Sequence, residues 1–274
     1  MRAFDYRGPI KLVVFDWAGT TVDYGCFAPV TPFIQIFAES GIEITMEQAR
    51  GPMGMHKKDH VRALGELPEV ARQWQLIHDR AFVEDDVDSL YQRLLQPEVT
   101  QAIADASGLI PGIVEAADRL RARGAKIGAT TGYFRQAAEG VVNRARSEGF
   151  APDVSLCVDD VPAGRPAPWA MFSIMRQLDV YPVTAVVKVG DTVPDIGEGR
   201  NAGTWTVGVT RSGNDVGLTE ADLAKLSEEE RKTRIDAAGK KLLDAGAHWV
   251  VETAAEIPEL LDEIEKRIAD GQRP

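Results

Sequence analysis

The chain has 274 residues, 44% of them hydrophobic and 27% charged, which is typical of a globular protein with one large domain or a core domain and an insert. The formal net charge of −11 argues against general nucleic-acid binding, because phosphate backbones require clustered lysine and arginine. No stretch approaches the ~20 consecutive apolar residues of a membrane span, and residues 1–7 do not resemble a signal peptide, so we expect a cytoplasmic protein.

Short apolar segments alternate with segments of helical spacing, which is the pattern of a parallel sheet covered by helices. Strands are predicted at residues 11–16, 126–131, 154–158, 185–190 and 204–209, with an edge strand at 248–251. Helices are predicted at residues 114–123, 134–147, 168–178 and 194–202, and helix with loop at 220–241. In such a sheet, ligands bind at the carboxyl ends of the strands, and the polar residues at those ends are therefore the candidates for a site.

The segment 31–96 differs from the rest of the chain because it contains no convincing strand. Its apolar residues fall at helical spacing, for example Val61, Leu64 and Leu67. We interpret it as an all-helical insert after the first strand. The predicted division is a cap domain at residues 25–99 and an α/β core made of residues 1–24 and 100–274, and a mobile cap beside the strand ends could close over a ligand.

The first predicted strand ends in Asp16, followed by Trp17-Ala18-Gly19-Thr20-Thr21. A carboxylate at a strand end followed by Gly-Thr suits contact with a phosphoryl group and a metal. The same residue types also favour turns and helix caps, so the motif alone leaves both interpretations open.

Two further strand ends carry groups that suit an anion. Thr131 and Gly132 offer a hydroxyl and an approachable backbone, although Thr131 could equally cap the next helix. Arg165, in a Pro-Gly loop, could neutralise a phosphoryl group and hold a carboxylate, or it could simply be solvated.

The fourth strand end supplies Asp191 and, one turn later, Asp195. Carboxylate oxygens suit a hard cation such as Mg²⁺, whereas Asp195 could also complement the dipole of the following helix. The chain has only two cysteines, Cys26 and Cys157, which make neither a disulfide framework nor a zinc site.

The order of these four motifs resembles that of the haloacid dehalogenase superfamily. The resemblance implies a Rossmann-like parallel sheet core with a small all-helical cap inserted after the first strand. It also implies that Asp16 attacks phosphorus to form an aspartyl-phosphate. Mg²⁺ would be held by Asp16, Asp191 and the carbonyl of Ala18, with Asp195 acting through a water.

Position 18 departs from the pattern of most phosphatases of this kind, which carry a general-acid aspartate there. Either the enzyme is impaired or its leaving group needs no acid. The insert offers Lys57, with His60 three residues later on the same helical face. A lysine imine is an electron sink that allows a carbon leaving group to depart as a neutral enamine, although at most positions a lysine is simply exposed.

The segments DWAGTTVDYGCFAP (16–29), PMG (52–54), DHVRAL (59–64), TTGY (130–133), DDVPAGRP (159–166) and KVGDT (188–192) resemble the phosphonoacetaldehyde hydrolase family over essentially the full chain. That resemblance implies a phosphonate substrate and a homodimer that could form through the insert. It further implies Lys57 as the Schiff-base residue and His60 as a proton-transfer partner.

The same resemblance places Met53 near the reacting atoms and Cys26 and Tyr133 in the cleft, although Met53 and Cys26 could equally be core residues. Lys58 is a second candidate amine, and His56 has no assignable role. Two rival hypotheses remain: a phosphatase or phosphomutase slowed by Ala18, and a catalytically silent module that binds a phosphorylated metabolite.

Overall fold

The computed structural model describes residues 6–274, so the first five residues of the predicted core and of the N-terminal segment lie outside the described part. Within it, six strands form one sheet: β1 (Leu12–Phe15), β2 (Lys126–Thr130), β3 (Val154–Leu156), β4 (Val186–Gly190), β5 (Trp205–Val209) and β6 (Trp249–Val251). The order is β3-β2-β1-β4-β5-β6 and every pair is parallel. The predicted parallel sheet is confirmed, including the edge position of the last strand.

Strand β1 lies at the centre of the sheet and is buried on both faces. Val13 and Phe15 belong to the larger hydrophobic core, whereas Leu12 and Val14 pack in a separate cluster on the opposite face. A strand covered on both faces carries a continuous apolar run, which is why this segment was recognisable in the sequence.

Helices occupy the segment between β1 and β2, as the spacing predicts: α1 (Val30–Ala38), α2 (Met46–Arg50), α3 (Lys57–Gly65), α4 (Pro68–His78), α5 (Glu84–Leu94) and α6 (Pro97–Ala106). The chain leaves the core near Val22 and returns near Leu109, and these two residues form an isolated bridge. Helix α6 crosses the predicted boundary at residue 99 and packs near Gly140 through Ala104. The exact division into domains stays a prediction.

Seven helices follow in the core: α7 (Ile113–Ala122), α8 (Arg135–Ser147), α9 (Trp169–Gln177), α10 (Val193–Ala202), α11 (Glu220–Lys225), α12 (Glu228–Asp244) and α13 (Ile257–Ala269). The first six match the predicted helical segments. Helix α13 was not predicted, although its buried residues Ile257, Leu261, Ile264 and Ile268 have clear helical spacing. No helix among residues 6–274 is long and apolar enough to cross a lipid bilayer.

Candidate active site

Three neighbouring strands bring the predicted polar groups together. Asp16 follows β1, Thr131 follows β2, and Asp191 follows β4, and β1 lies between the other two strands. Since the strands are parallel, their carboxyl ends meet at one edge of the sheet. Ligand atoms of Asp16, Asp191 and Asp195 lie within 4.8 Å of one another, and all three residues are buried.

Arg165 is fixed against this cluster and is not solvated. Its Nη1 atom lies 2.8 Å from Oδ1 of Asp16 and 2.7 Å from Oδ1 of Asp195. Its Nη2 atom donates to the carbonyl and the hydroxyl oxygens of Thr130, both at 2.6 Å. The guanidinium is therefore held beside the predicted nucleophile from two directions, and its role in binding phosphate stays a prediction.

Lys188 and Glu198 complete the charged network but were not identified from the sequence as functional residues. Nζ of Lys188 lies 3.0 Å from both Oδ1 of Asp195 and Oε2 of Glu198, and the Lys188 side chain has no exposed surface. Glu198 also accepts from Nε of Arg165. A lysine inside the apolar strand VVKVG was the available signal for Lys188, because lysine is almost never fully buried without a partner. Nothing in the sequence around Glu198 gave an equivalent signal.

The carboxylate oxygens of Asp191 and the second carboxylate oxygen of Asp195 also accept hydrogen bonds. Asp191 accepts from the Thr20 hydroxyl at 3.2 Å and from the Asn214 backbone N–H at 2.8 Å. Asp195 accepts from the Thr192 hydroxyl and backbone N–H, which makes it part of a capping box at the start of α10. Asp195 therefore lies in the first turn of α10, where the sequence suggested that it complements the helix dipole, and it also contacts Arg165.

The donor set at this edge fits a hard divalent cation. Among residues 6–274, four buried carboxylates (Asp16, Asp191, Asp195 and Glu198) accompany only two cationic side chains in contact with them, Arg165 and Lys188. Oxygen ligands with excess negative charge are the environment that Mg²⁺ or a similar ion requires.

The pKa values of these carboxylates reflect their burial first and then the charges around them. Burial, followed by repulsion from Asp195, raises the pKa of Asp16 to about 6, although Arg165 and Lys188 oppose the shift. Burial and repulsion from Asp16 raise the pKa of Asp191 well above its ordinary value. Burial would also raise the pKa of Asp195, but Arg165 and Lys188 outweigh that effect and hold it below its ordinary value. A bound cation would favour the charged form of each carboxylate.

A narrow cavity of about 20 Å³ lies between the strand ends and the insert. Residues from both the core and the insert line it: Asp16, Ala18, Cys26, Pro29, Met53, Gly54, Lys57, Thr131, Gly132, Tyr133, Arg165 and Thr192. Nine of these residues were predicted site residues, and Pro29, Gly54 and Thr192 were not.

Lys57, the first residue of α3, presents its amine to this cavity from an apolar wall. Its Nζ atom lies 5.0 Å from the centre of the Tyr133 ring, 5.7 Å from that of Phe33 and 3.6 Å from the sulfur of Met53. Burial lowers the pKa of Lys57 to about 8, despite the opposing attraction of nearby anionic groups. About a tenth of this amine is therefore neutral and nucleophilic at pH 7.

His60 is buried behind this wall and does not line the cavity. Its ring stacks on Phe33 with centres 3.8 Å apart, and its Nε2 atom lies 2.8 Å from the carbonyl oxygen of Ala49. Its Nδ1 atom has no hydrogen-bond partner among residues 6–274. Burial, followed by the neighbouring Lys57, lowers the pKa of His60 well below its ordinary value. Its predicted part in proton transfer stays a prediction.

Of the other predicted residues, three line the cavity and Lys58 does not. Cys26 and Tyr133 are both buried, and burial raises the pKa of each well above its ordinary value, so both are neutral donors. The Thr131 hydroxyl accepts from the Tyr133 N–H at 3.1 Å, which leaves its own hydrogen for another acceptor. Lys58 faces away and pairs with Glu84 and Asp88.

The insert loop before α3 lies directly on the core. A Cβ atom on Gly132 would meet the Met55 carbonyl oxygen at 2.6 Å, and one on Gly54 would meet the Thr192 hydroxyl oxygen at 2.3 Å. Gly54 also has a φ of +88°, which favours glycine. These glycines allow the backbone segments to approach closely, and the insert thereby covers the strand ends.

Comparison with known proteins agrees with this geometry. A family model described as haloacid dehalogenase-like hydrolase matches residues 10–203. A phosphonoacetaldehyde hydrolase of Syntrophobacter fumaroxidans is 47% identical, with 98% of this chain and 97% of that protein covered. One from Bacillus cytotoxicus is 44% identical, with 94% and 97% covered.

A solved structure of a phosphonoacetaldehyde hydrolase-like protein from Oleispira antarctica has a TM-score of 0.96 to this chain. The two sequences are 38% identical, and the match covers 100% of this chain and 99% of that one. On these grounds, the chain belongs to the phosphonoacetaldehyde hydrolase family of haloacid dehalogenase-like hydrolases.

Proposed function

We propose that this protein hydrolyses the carbon–phosphorus bond of phosphonoacetaldehyde to give acetaldehyde and phosphate. The observation that carries the proposal is that Lys57 and Asp16 line the same small cavity, one from the insert and one from the core. Relatives at 47% and 44% identity bear the name of this activity. The lowered pKa of Lys57, about 8, further supports an amine that reacts with an aldehyde.

In the first step, the neutral amine of Lys57 adds to the aldehyde carbon, and uptake of one proton from solvent and loss of one water give an iminium. The rings of Tyr133 and Phe33 lie 5.0 and 5.7 Å from Nζ, and their faces favour a cation at this position. The resulting positive charge next to the carbon–phosphorus bond prepares that bond for cleavage.

In the second step, a carboxylate oxygen of Asp16 attacks phosphorus. The carbon–phosphorus bond breaks, its electron pair moves into the iminium to give a neutral enamine, and an aspartyl-phosphate forms on Asp16. Arg165 and the Thr131 hydroxyl are the donors for the phosphoryl oxygens in this step. Since the enamine leaves without needing a proton, Ala18 is adequate where a phosphatase carries an acid.

Two hydrolyses then restore the protein. A proton from water in the cavity reaches the enamine carbon, and His60, which lies behind the cavity wall, would act through such a water. Water then releases acetaldehyde from the regenerated iminium on Lys57. A second water hydrolyses the aspartyl-phosphate to free phosphate. Both covalent bonds to the protein are thereby broken and the amine and carboxylate are recovered.

We also propose that Mg²⁺ is the metal, held by Asp16, Asp191 and the carbonyl of Ala18, with Asp195 acting through a water. When bound, the ion supplies positive charge against the phosphonate oxygens. The excess of carboxylates over cations at this edge supports a divalent ion. A cytoplasmic homodimer is part of the proposal and rests on family resemblance; light scattering after gel filtration measures the dimer directly.

The deciding experiment is mass spectrometry after incubation with phosphonoacetaldehyde and borohydride. We expect a reduced adduct on Lys57 in the parent protein, and loss of both adduct and acetaldehyde release in Lys57→Arg. Lys58→Arg is the matched control, because Lys58 lies on the same helix but pairs with Glu84 and Asp88. Phosphate-ester hydrolysis that persists in Lys57→Arg would favour a phosphatase, and binding without phosphate release would favour a silent module.

A further inference from the structure

Arg50 links the insert to the core without itself lining the cavity. It is the last residue of α2 and precedes the loop that carries Met53 and Gly54. Its Nη1 atom donates to the carbonyl oxygens of Gly25 and Cys26 at 2.7 and 3.2 Å, where the chain enters the insert. The side chain is half-buried, and its guanidinium carbon lies 4.7 Å from the centre of the Phe27 ring.

The same guanidinium also contacts the core loop between β5 and α11, residues 210–219. Its Nη1 atom lies 3.2 and 3.3 Å from the side-chain and main-chain oxygens of Asn214, and its Nη2 atom donates to the Gly217 carbonyl at 3.4 Å. The Asn214 amide donates back to the Arg50 carbonyl at 3.3 Å. One planar group therefore joins the insert, its linker and this core loop.

Asn214 also contacts the candidate metal site. Its backbone N–H donates to Oδ2 of Asp191 at 2.8 Å, and its side chain is buried. Arg50 is thus connected to a predicted metal-binding carboxylate through a single residue. Among residues 6–274, the second hydrogen bond to the Asp191 carboxylate comes from the Thr20 hydroxyl, within the core.

We propose that Arg50 is a positioning residue that couples the seating of the insert to the binding of the metal ion. With the insert on the core, Arg50 fixes residues 210–219, and the Asn214 N–H then orients Asp191. Groups that orient a metal-ligating carboxylate strongly influence metal affinity. Lysine is a poor replacement for Arg50, because a single ammonium group cannot reach all the acceptor oxygens that lie around the planar guanidinium. This inference rests on the proposed metal centre.

The test is calorimetric titration of the substrate-free protein with MgCl₂, which measures the metal affinity without any turnover. We expect Arg50→Met to raise the Kd for Mg²⁺ by about tenfold or more, and Arg50→Lys to fall between it and the parent. Asn214→Ala removes the side-chain contacts but keeps the backbone donor. Because both changes break the same link, adding Asn214→Ala to Arg50→Met should raise the Kd little further.

The matched control is Arg72→Met, which removes the same charge from an exposed position of the insert, where Arg72 pairs with Glu69 and with no other acidic residue among residues 6–274. Its Kd should stay within about twofold of the parent value. Circular dichroism establishes that each variant is folded, and Arg50→Lys and Asn214→Ala provide milder changes if Arg50→Met does not fold.

Folded variants whose Kd for Mg²⁺ equals that of the parent would overturn the coupling. It would also be overturned if the increase in Kd for the double variant equalled the product of the increases for Arg50→Met and Asn214→Ala alone. A parent protein that binds no divalent cation would overturn the metal centre and the coupling together. A parent that binds Mg²⁺ but leaves phosphonoacetaldehyde intact would overturn the proposed reaction alone, because the titration does not depend on that substrate.

Discussion

The Nζ atom of Lys57 lies 3.6 Å from the sulfur of Met53, on the apolar side of the cavity that contains Asp16. A thioether is only a weak hydrogen-bond acceptor, and Lys57 forms no ion pair among residues 6–274. Burial of the ammonium form therefore outweighs its contacts with the Tyr133 and Phe33 rings, and this loss of hydration is the physical origin of the low pKa of Lys57. A lysine held in this way is suited to attack a carbonyl group.

The pH dependence of imine formation follows from this environment. With a pKa of about 8, the amine of Lys57 is protonated at lower pH and neutral above it. About a tenth is neutral at pH 7, against well under a thousandth for an ordinary lysine. The rate of adduct formation, trapped with cyanoborohydride, should rise with pH and level off above about 8. A rate that keeps rising to the range of ordinary lysines would contradict the depressed pKa.

Replacing Ala18 by aspartate should impair the proposed reaction. Ala18 lines the same cavity as Lys57, so a carboxylate there would favour the ammonium form of Lys57 and raise its pKa. We expect Ala18→Asp to reduce adduct formation at pH 7 by about tenfold for each unit by which the pKa rises. Ala18→Ser is the control, since it adds a polar group without a charge. Equal trapping in both variants would show that charge at position 18 does not reach Lys57.

Gly54→Ala should prevent the insert from seating on the core. The new Cβ would lie 2.3 Å from the Thr192 hydroxyl oxygen, and φ at this position is +88°. Gly124→Ala is a matched control, because Gly124 has a φ of +84° but no atom within 4 Å of its added Cβ. Each substitution costs about 1–2 kcal/mol of folding free energy from backbone strain.

The two glycine variants should differ in catalysis. We expect at least a tenfold loss of kcat/KM for Gly54→Ala beyond any loss for Gly124→Ala, because a displacement of about 1 Å at reacting groups has effects of that order or larger. Thermal unfolding measures the backbone strain in each variant, and steady-state kinetics measure the misalignment of the reacting groups. Similar kinetic losses in both variants would point to strain alone.

Lys188→Met should lower the stability of the folded protein. The substitution leaves Asp195 and Glu198 buried without one of their two cationic partners, which costs about 3–5 kcal/mol of unfolding free energy. Lys232→Met is the control, because Lys232 pairs with Asp236 on the surface, where such pairs contribute about 0–1 kcal/mol. Urea denaturation measures both, and equal midpoints would show that the buried network does not depend on Lys188.

The core of the fold could be predicted from the sequence because a parallel sheet imposes continuous apolar strands separated by helices. The strand ends then indicated Asp16, Thr131 and Asp191 as candidates, since parallel strands present their carboxyl ends on one side, and Arg165 was a candidate from the loop after the third strand. Lys57 was predicted by chemical reasoning, because an alanine at position 18 requires another way to stabilise the leaving group if the enzyme is active.

Only the tertiary structure decided how these groups contact one another. Local spacing predicted Lys57 and His60 on one helical face, but packing against Phe33 places His60 behind the cavity wall. The roles of Lys188, Glu198 and Arg50 depend on partners distant in the chain, such as Asp195 for Lys188 and Asn214 for Arg50. Sequence patterns report the periodicity of a segment and which of its faces is buried, whereas ion pairs between elements depend on side-chain directions that are fixed only when those elements pack.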